Sequence, residues 1–359
     1  MATNRNRVIY SAAALFASQG TSCTGAHFSS GNSGVNLIKQ VPRVQDVSFN
    51  FDIPRQSVQQ MGQLAELDRI IVDSPTVGLN FSWLETDGSS ENALGFNTNG
   101  MSTFISGILS AQSDDKNYFI QLSSEGVDAV TDANNNTKNV IAIGNGYLSN
   151  YSLDLSVGQL PKASLSVEGL NIKFDTGNNG NNFIPAVNPI DGQKITGWKY
   201  TLPTAVAYTG ANIVSALRPG DLQLNLAPNA ALGNVLSGAG SVHIQSMNIA
   251  VPLSRETVNR LGTKFAYARN LALPIQTTMS ISALQADLRE SNLADIFCND
   301  ASYNFSVIAK VPDCVGTGAS SIVYQYKGAK LQSQDQSQLA GISLNTDIGF
   351  FYSGSYSGS

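Results

Sequence analysis

Two histidines, three cysteines and a few neighbouring acids are the chain's main resources for chemistry. His243 precedes Ile244 at the start of a strand-like run, where a structural role outranks that of a base. His27 lies in a glycine-rich loop, TGAHFSSGNSG. Asp132, Asn134 and Asn136 carry the opening spacing of a calcium loop, but the glycine and the distal glutamate are missing. Glu85 with Asp87, or Asp114 with Asp115, could be paired carboxylates for glycoside hydrolysis. Acids this close together on strand ends and loops are expected to be solvated surface. The chain has no H-x-x-x-H, C-x-x-C, G-x-S-x-G or phosphate-loop motif. The reading therefore assigns no catalytic, cofactor-binding or metal-binding residue, expects no cofactor, and expects no enzyme.

Cys23, Cys298 and Cys314 are too few for a disulfide framework. Cys298 and Cys314 could pair, but free thiols are expected of a chain that folds in a reducing cytoplasm. Charged residues make up 13% of the 359 residues, about half the usual share. Ser, Thr, Asn, Gln and Gly take their place, a texture of β-rich coats, fibres and appendages. The net charge of −5 gives no basic footprint for gripping nucleic acid. No apolar run reaches transmembrane length. The start, NRNRVIYSAAALFASQG, mimics a signal peptide but reads better as a leading strand over 8–16.

Whatever the chain does must come from its elements, and these repeat. Residues 44–87 and 244–287 align without a gap, about 200 residues apart. Gln45, Arg55, Val58, Gly62, Arg69, Ser82, Leu84 and Asp87 fall on identical residues in the second copy. Val47, Phe49, Phe51 and Ile53 alternate with polar residues, and Met247, Ile249, Val251 and Leu253 do so in the same phase. Val77, Leu79, Phe81 and Trp83, and then Met279, Ile281 and Ala283, form a second alternating set. Each copy thus predicts strand, break, strand, with one apolar face. The break, PRQSVQQMG or SRETVNRLG, predicts a short helix. Pro54 or Ser254 would start it, and Gly62 or Gly262 would end it at positive φ.

Further along, ENALGF predicts a helical turn, while MSTFISGILSA leaves helix and strand both open. NYFIQL, NFSVIAKV and SIVYQY read as strands, DANNNT as a loop tip and RESNLADIF as a short helix. Tyr151, Leu153, Leu155 and Val157 alternate, as do Ala163, Leu165 and Val167. The phase shifts after Gly169 to Leu170, Ile172 and Phe174, which predicts a bulge. Leu222, Leu224 and Leu226 share a face, and Ile342, Leu344, Ile348 and Phe350 mark one last strand. The organisation expected is a first domain with an N-terminal strand or arm at 1–175, a linker or extended loop at 176–220, and a second domain at 221–359. The 175–192 loop and the termini are expected to project and to be ordered by neighbours.

PRVQDVSFNFDIPRQSVQQMGQLAELDRIIVDSPTVGLNFSW resembles the hallmark segment of tail tube proteins from long-tailed bacteriophages. NRVIY, ENALGF, NGYLSNYSLDLSVGQLP, PAVNP followed by LRPGD, and YKGAKLQSQDQSQLAGIS resemble other parts of that family. The second copy departs from the first where Trp83 becomes Ala283, Pro75 becomes Ile275 and ELD becomes AYA. The resemblance implies a mainly β fold: two tandem tail-tube-type antiparallel β-sandwich domains, each with a short flanking helix. Each would contribute strands to a ring-shaped β-barrel around a DNA channel.

The same resemblance implies a structural virion protein of the phage tail, assembled in the host cytoplasm. Its partners would be further copies of itself, other tail proteins (terminator, tape measure, distal tail or sheath) and genomic DNA in transit, with no membrane. Family rings hold six tube domains, so two domains per chain imply trimeric rings with pseudo-sixfold symmetry, stacked into a tube. The divergence of the Glu66–Asp68 acids would then make channel acidity alternate around the ring. Two alternatives stay open: another tail, baseplate or injection-system ring protein on the same domain, and a β-rich adhesin or receptor-binding module.

Overall fold

The structure, a computed structural model, describes residues 13–18, 38–110, 114–123, 127–131, 138–177, 181–207, 217, 222–225, 242–285, 293–298, 302–310, 320–336, 340–346 and 349–354. His27, Cys23, Cys314, the 132–137 tip, and the two termini lie outside these residues, so the calcium-loop spacing and the Cys298–Cys314 pair do too. The chain is mainly β, with antiparallel pairing throughout the described strands.

The first half contains β1 (Ala14–Ser18), β2 (Ile38–Gln40), β3 (Val44–Asp52), β4 (Arg55–Val58), β5 (Asp68–Ile71) and β6 (Thr76–Leu84). Then come α1 (Ser89–Leu94), α2 (Ser106–Ser110), β7 (Lys116–Leu122), β8 (Asn139–Ser156), β9 (Lys162–Gly169) and β10 (Asn171–Thr176). The second half contains β11 (Leu222–Asn225), β12 (Val242–Pro252), β13 (Arg255–Val258), β14 (Ala268–Leu271), β15 (Thr277–Gln285) and α3 (Leu293–Cys298). It ends with β16 (Tyr303–Lys310), β17 (Ser320–Gln336), β18 (Ala340–Thr346) and β19 (Gly349–Gly354).

One strand order is present twice. The first half runs β3-β6-β9-β8, and the second runs β12-β15-β18-β17. The alternating apolar residues select this arrangement, because each strand buries one face. The irregularities repeat as well. β3 slips register on β6 between Val44 and Asp46; β12 slips on β15 between Ile244 and Ser246. β8 bulges against β9 between Leu148 and Asn150; β17 bulges against β18 between Leu331 and Ser333. Bulges fix register, so matching bulges identify equivalent residues: Leu148 with Leu331, Tyr151 with Gln334, Val167 with Leu344.

β8 and β17 are long because each serves two sheets. The first part of β8 pairs with β7 and β10, and its second part pairs with β9 and β12. β17 does the same with β16 and β19, then with β18. The core lies between the layers, where Trp83, Phe81, Tyr118, Tyr151, Ile249 and Ile281 are buried with Tyr324 and Tyr326.

Several expectations need correction. The break between the organising strands is not helical. β4 pairs with β5, and β13 with β14, as hairpins whose registers match residue for residue. A one-turn helix gains little to offset its nucleation, and Val58 with Met61 would bury nothing, since Met61 is fully exposed. Gly62 and Gly262 do have positive φ, 94° and 86°, but in the hairpin loops. The phase shift at Gly169 is a corner rather than a bulge: β9 ends there and β10 starts a new pairing with β8. A Cβ at Gly169 would lie 2.7 Å from Ile143 Cγ2. The last alternating stretch is two strands, β18 and β19.

The described part of the 175–192 stretch does not project. Ile184, Ala186 and Val187 are buried, and the following Tyr200, Leu202 and Ala205 close a second core over Phe16, Phe119, Val140 and Ala142. Tyr200 donates a hydrogen bond of 2.7 Å to Asp175. Among the described residues there is no closed barrel: the eight-strand run ends on β3 at one side and β17 at the other.

Candidate assembly interface

One face of the eight-strand sheet is small and polar from edge to edge. A row across it reads Asp46, Ser82, Ser164, Ser152, Ala250 and Thr278. Another reads Lys162, Asp154, Asn248, Ser280, Ser343 and Ser333. Alternation produces this face as the necessary reverse of the apolar one. The Ser152 and Ser164 hydroxyls are 2.7 Å apart. Asp46 accepts from the Ser82 hydroxyl at 2.5 Å and from Lys162 at 2.9 Å. The Ser82 bond first, and Lys162 beside it, hold its carboxyl below the usual carboxylate range.

Between the two repeats the sheet is continuous. β12 pairs with β8 from Ser246–Ser156 to Pro252–Asn150. Val251, Ile249 and Met247 are buried there against Tyr151, Leu153 and Leu155. The second hairpin caps this seam. Arg255 donates to the Leu148 carbonyl at 3.0 Å and pairs with Asp114. Arg269 bonds Glu168 at 3.1 Å. The two guanidinium groups lie 5.3 and 5.9 Å from the Tyr147 ring, within cation–π reach.

The same positions at the outer edge are bare. Val251 is 0% exposed, while its counterpart Phe51 is 56% exposed. The Arg269 side chain is 5% exposed, and that of Arg69 is 68%. Among the described residues the Arg69 side chain bonds its own hairpin's Glu66, at 2.8 Å. β4 and β5 are exposed along their whole length. Met61 and Leu64 on the first hairpin loop, and Leu261 on the second, are fully exposed.

None of the acids singled out from the sequence as carboxylate pairs is solvated surface: Glu85 is buried, Asp87, Asp114 and Asp115 are half-buried, and each is set on a different partner. Glu85 is buried against Glu91 of α1, and Tyr151 donates to Glu91 at 3.2 Å. Burial first, and the Glu85 charge second, raise the Glu91 carboxyl well above the usual range. Asp87 instead bonds Arg43 at 3.5 Å and the first residue of α1, Ser89. Asp114 is half-buried under Arg255, and Asp115 accepts from Asn145 at 3.2 Å. Glu66 and Asp68 sit on the first hairpin rather than on the polar sheet face. His243 lies on β12, and Cys298 is an exposed free thiol at the end of α3. Among the described residues no cluster of His, Cys, Asp or Glu is arranged to hold a metal, and no helix is long and apolar enough to cross a membrane.

Sequence reasoning missed Glu91, Tyr147 and the clamping roles of Arg255 and Arg269. The identity of Arg55 with Arg255 and of Arg69 with Arg269 was the available signal. No protein-family model matches the chain, and no match is found among curated proteins.

Proposed function

We propose that this chain is a tail tube subunit of a long-tailed bacteriophage, a structural virion protein built from two tandem tube domains. It assembles in the host cytoplasm into trimeric rings of pseudo-sixfold symmetry, which stack into the channel that conducts DNA. The observation that carries the reading is the edge-to-edge fusion of two like four-strand sheets, with β3 and β17 left at the outer edges. A head-to-tail contact that repeats the β8–β12 seam uses a different edge on each partner, so it propagates until the ring closes. Closure also removes the exposed edges that would otherwise invite aggregation.

The polar face suits the inside of such a ring. Asp46, Asp52, Asp154, Glu168 and Asp335 stand among Ser, Thr and Asn, with few cations. Binding DNA phosphates would need Lys and Arg, so duplex can pass without being held. Tail terminator, tape measure, and distal tail or sheath proteins are the partners this role requires. The fully exposed apolar residues of the hairpin loops, Met61, Leu64 and Leu261, are not aromatic, which favours packing against other subunits over the aromatic platform of a carbohydrate-binding adhesin.

Negative-stain electron microscopy of the purified chain tests the reading. Hollow tubes or rings are expected; a chain that stays monomeric at high concentration overturns it.

A further inference from the structure

We infer that β3 of one chain pairs antiparallel with residues 333–336 of β17 in the next chain, in the register that β12 keeps with β8. The inference rests on the ring reading above and adds the partner edge and the register. Its basis is the chain's own internal seam. Matching bulges place Ser333 on Asn150, Gln334 on Tyr151, Asp335 on Ser152 and Gln336 on Leu153. Matching registers place Phe49, Asn50, Phe51 and Asp52 on Ile249, Ala250, Val251 and Pro252. The internal pairs Ile249–Leu153, Ala250–Ser152, Val251–Tyr151 and Pro252–Asn150 therefore translate to Phe49–Gln336, Asn50–Asp335, Phe51–Gln334 and Asp52–Ser333 between chains.

Both edges are present for this contact. Among the described strands β3 pairs with β6, and residues 333–336 of β17 pair with β18. The exposure contrast points to the same occupant. Phe51 and Ile53 are bare where Val251 and Leu253 are buried by the first repeat. What buries the second pair is β8 and the core under it; the equivalent surface for the first pair is β17 of another copy.

The hairpin follows its strand. Arg255 reaches the Leu148 carbonyl at the bulge of β8, so Arg55 comes to the Leu331 carbonyl at the bulge of β17. The rest of the clamp does not transfer. Tyr147 corresponds to Lys330 and Glu168 to Asn345, so the ring face and carboxylate that hold Arg269 are missing next door. Arg69 instead has Glu66 on its own hairpin, whose counterpart in the second copy is Ala266. The seam between chains is thus more polar than the seam within the chain.

The register can be read by disulfide trapping. Leu253 donates its backbone N–H to Ser149, and Val157 donates to Gln245. This makes Ala250–Ser152 a non-hydrogen-bonded pair, the closer-spaced kind that a disulfide can span. Its translation is Asn50–Asp335 on the polar face. In a chain with Cys23, Cys298 and Cys314 replaced by serine, Asn50→Cys with Asp335→Cys should give interchain disulfides when assembled tubes are mildly oxidised. Asn50→Cys with Ser333→Cys, which reports a two-residue slip, should not. Tubes that cross-link only through the second pair, or through neither, overturn the register and leave the tube reading standing. If the unsubstituted chain forms no rings or tubes, both fall.

Discussion

Asn145 and Gly328 occupy the same place in the two repeats, and both have left-handed backbones, with φ of 49° and 71°. Each sits where its long strand bends from one sheet into the other, at the register slip against β7 or β16. The bend lets one strand serve two layers, so the left-handed residue is a requirement of the sandwich. Asn tolerates that conformation and here gains from it. Its side chain accepts from the Val187 N–H at 2.8 Å and donates to Asp115. Gly328→Asn is expected to be nearly neutral. Gly328→Val should cost about 1–2 kcal/mol in denaturant unfolding, and an unchanged midpoint would contradict the bend.

The clamp between the repeats gives a paired test. Arg255 is buried on Leu148 and Asp114, whereas Arg55 is exposed. Arg255→Ala removes the guanidinium partner of Asp114 and of the Leu148 carbonyl and should destabilise the single chain by about 1–3 kcal/mol. Arg55→Ala should leave the melting temperature of the single chain unchanged and weaken ring formation. Thermal melts and sedimentation of both variants check this.

The buried Glu85–Glu91 pair sets a pH dependence. The Glu91 carboxyl is raised in the folded chain, so the folded state binds the proton more tightly than the unfolded state does. Stability from this site is full below the unfolded carboxylate value of 4.5 and is lost as pH rises through the folded one. Glu91→Gln keeps a hydrogen-bonding group without the charge. It should raise the melting temperature at neutral and alkaline pH and flatten its fall with pH; a steeper fall would contradict the assignment.

The hairpin loops should matter to the assembly alone. Met61, Leu64 and Leu261 are fully exposed and support nothing within the chain. Replacing all three with serine should leave melting unchanged while shortening or abolishing tubes in electron micrographs. A large loss of stability would show that they pack within the fold.

How much of this was legible in sequence follows from which patterns are local. Period-two alternation found the organising strands, since each strand buries one face. Gly62 and Gly262 advertised positive φ but not the element around them: a hairpin depends on residues 68–71 folding back, beyond a short window. Residues 184–205 looked like a linker because Ile184, Tyr200 and Leu202 follow no period; they bury as separate plugs. Glu85 read as surface because its burial depends on Glu91, brought beside it by α1. That helix is set by Gly88 and Gly95, with Gly95 and Phe96 donating to Asn92 and Glu91. The losses of Trp83 and Tyr151 in the second copy also look independent in sequence. Their rings lie 6.1 Å apart in the first copy, so Ala283 and Gln334 record the loss of one contact.

A cryo-electron microscopy reconstruction of the assembled protein tests the central claim most directly. The account expects a hollow tube of stacked rings, each with three chains and threefold symmetry. A continuous barrel should line the channel, in which β8–β12 seams alternate with β17–β3 seams. Six chains per ring related by true sixfold symmetry, or an assembly with no channel lined by this sheet, would contradict it.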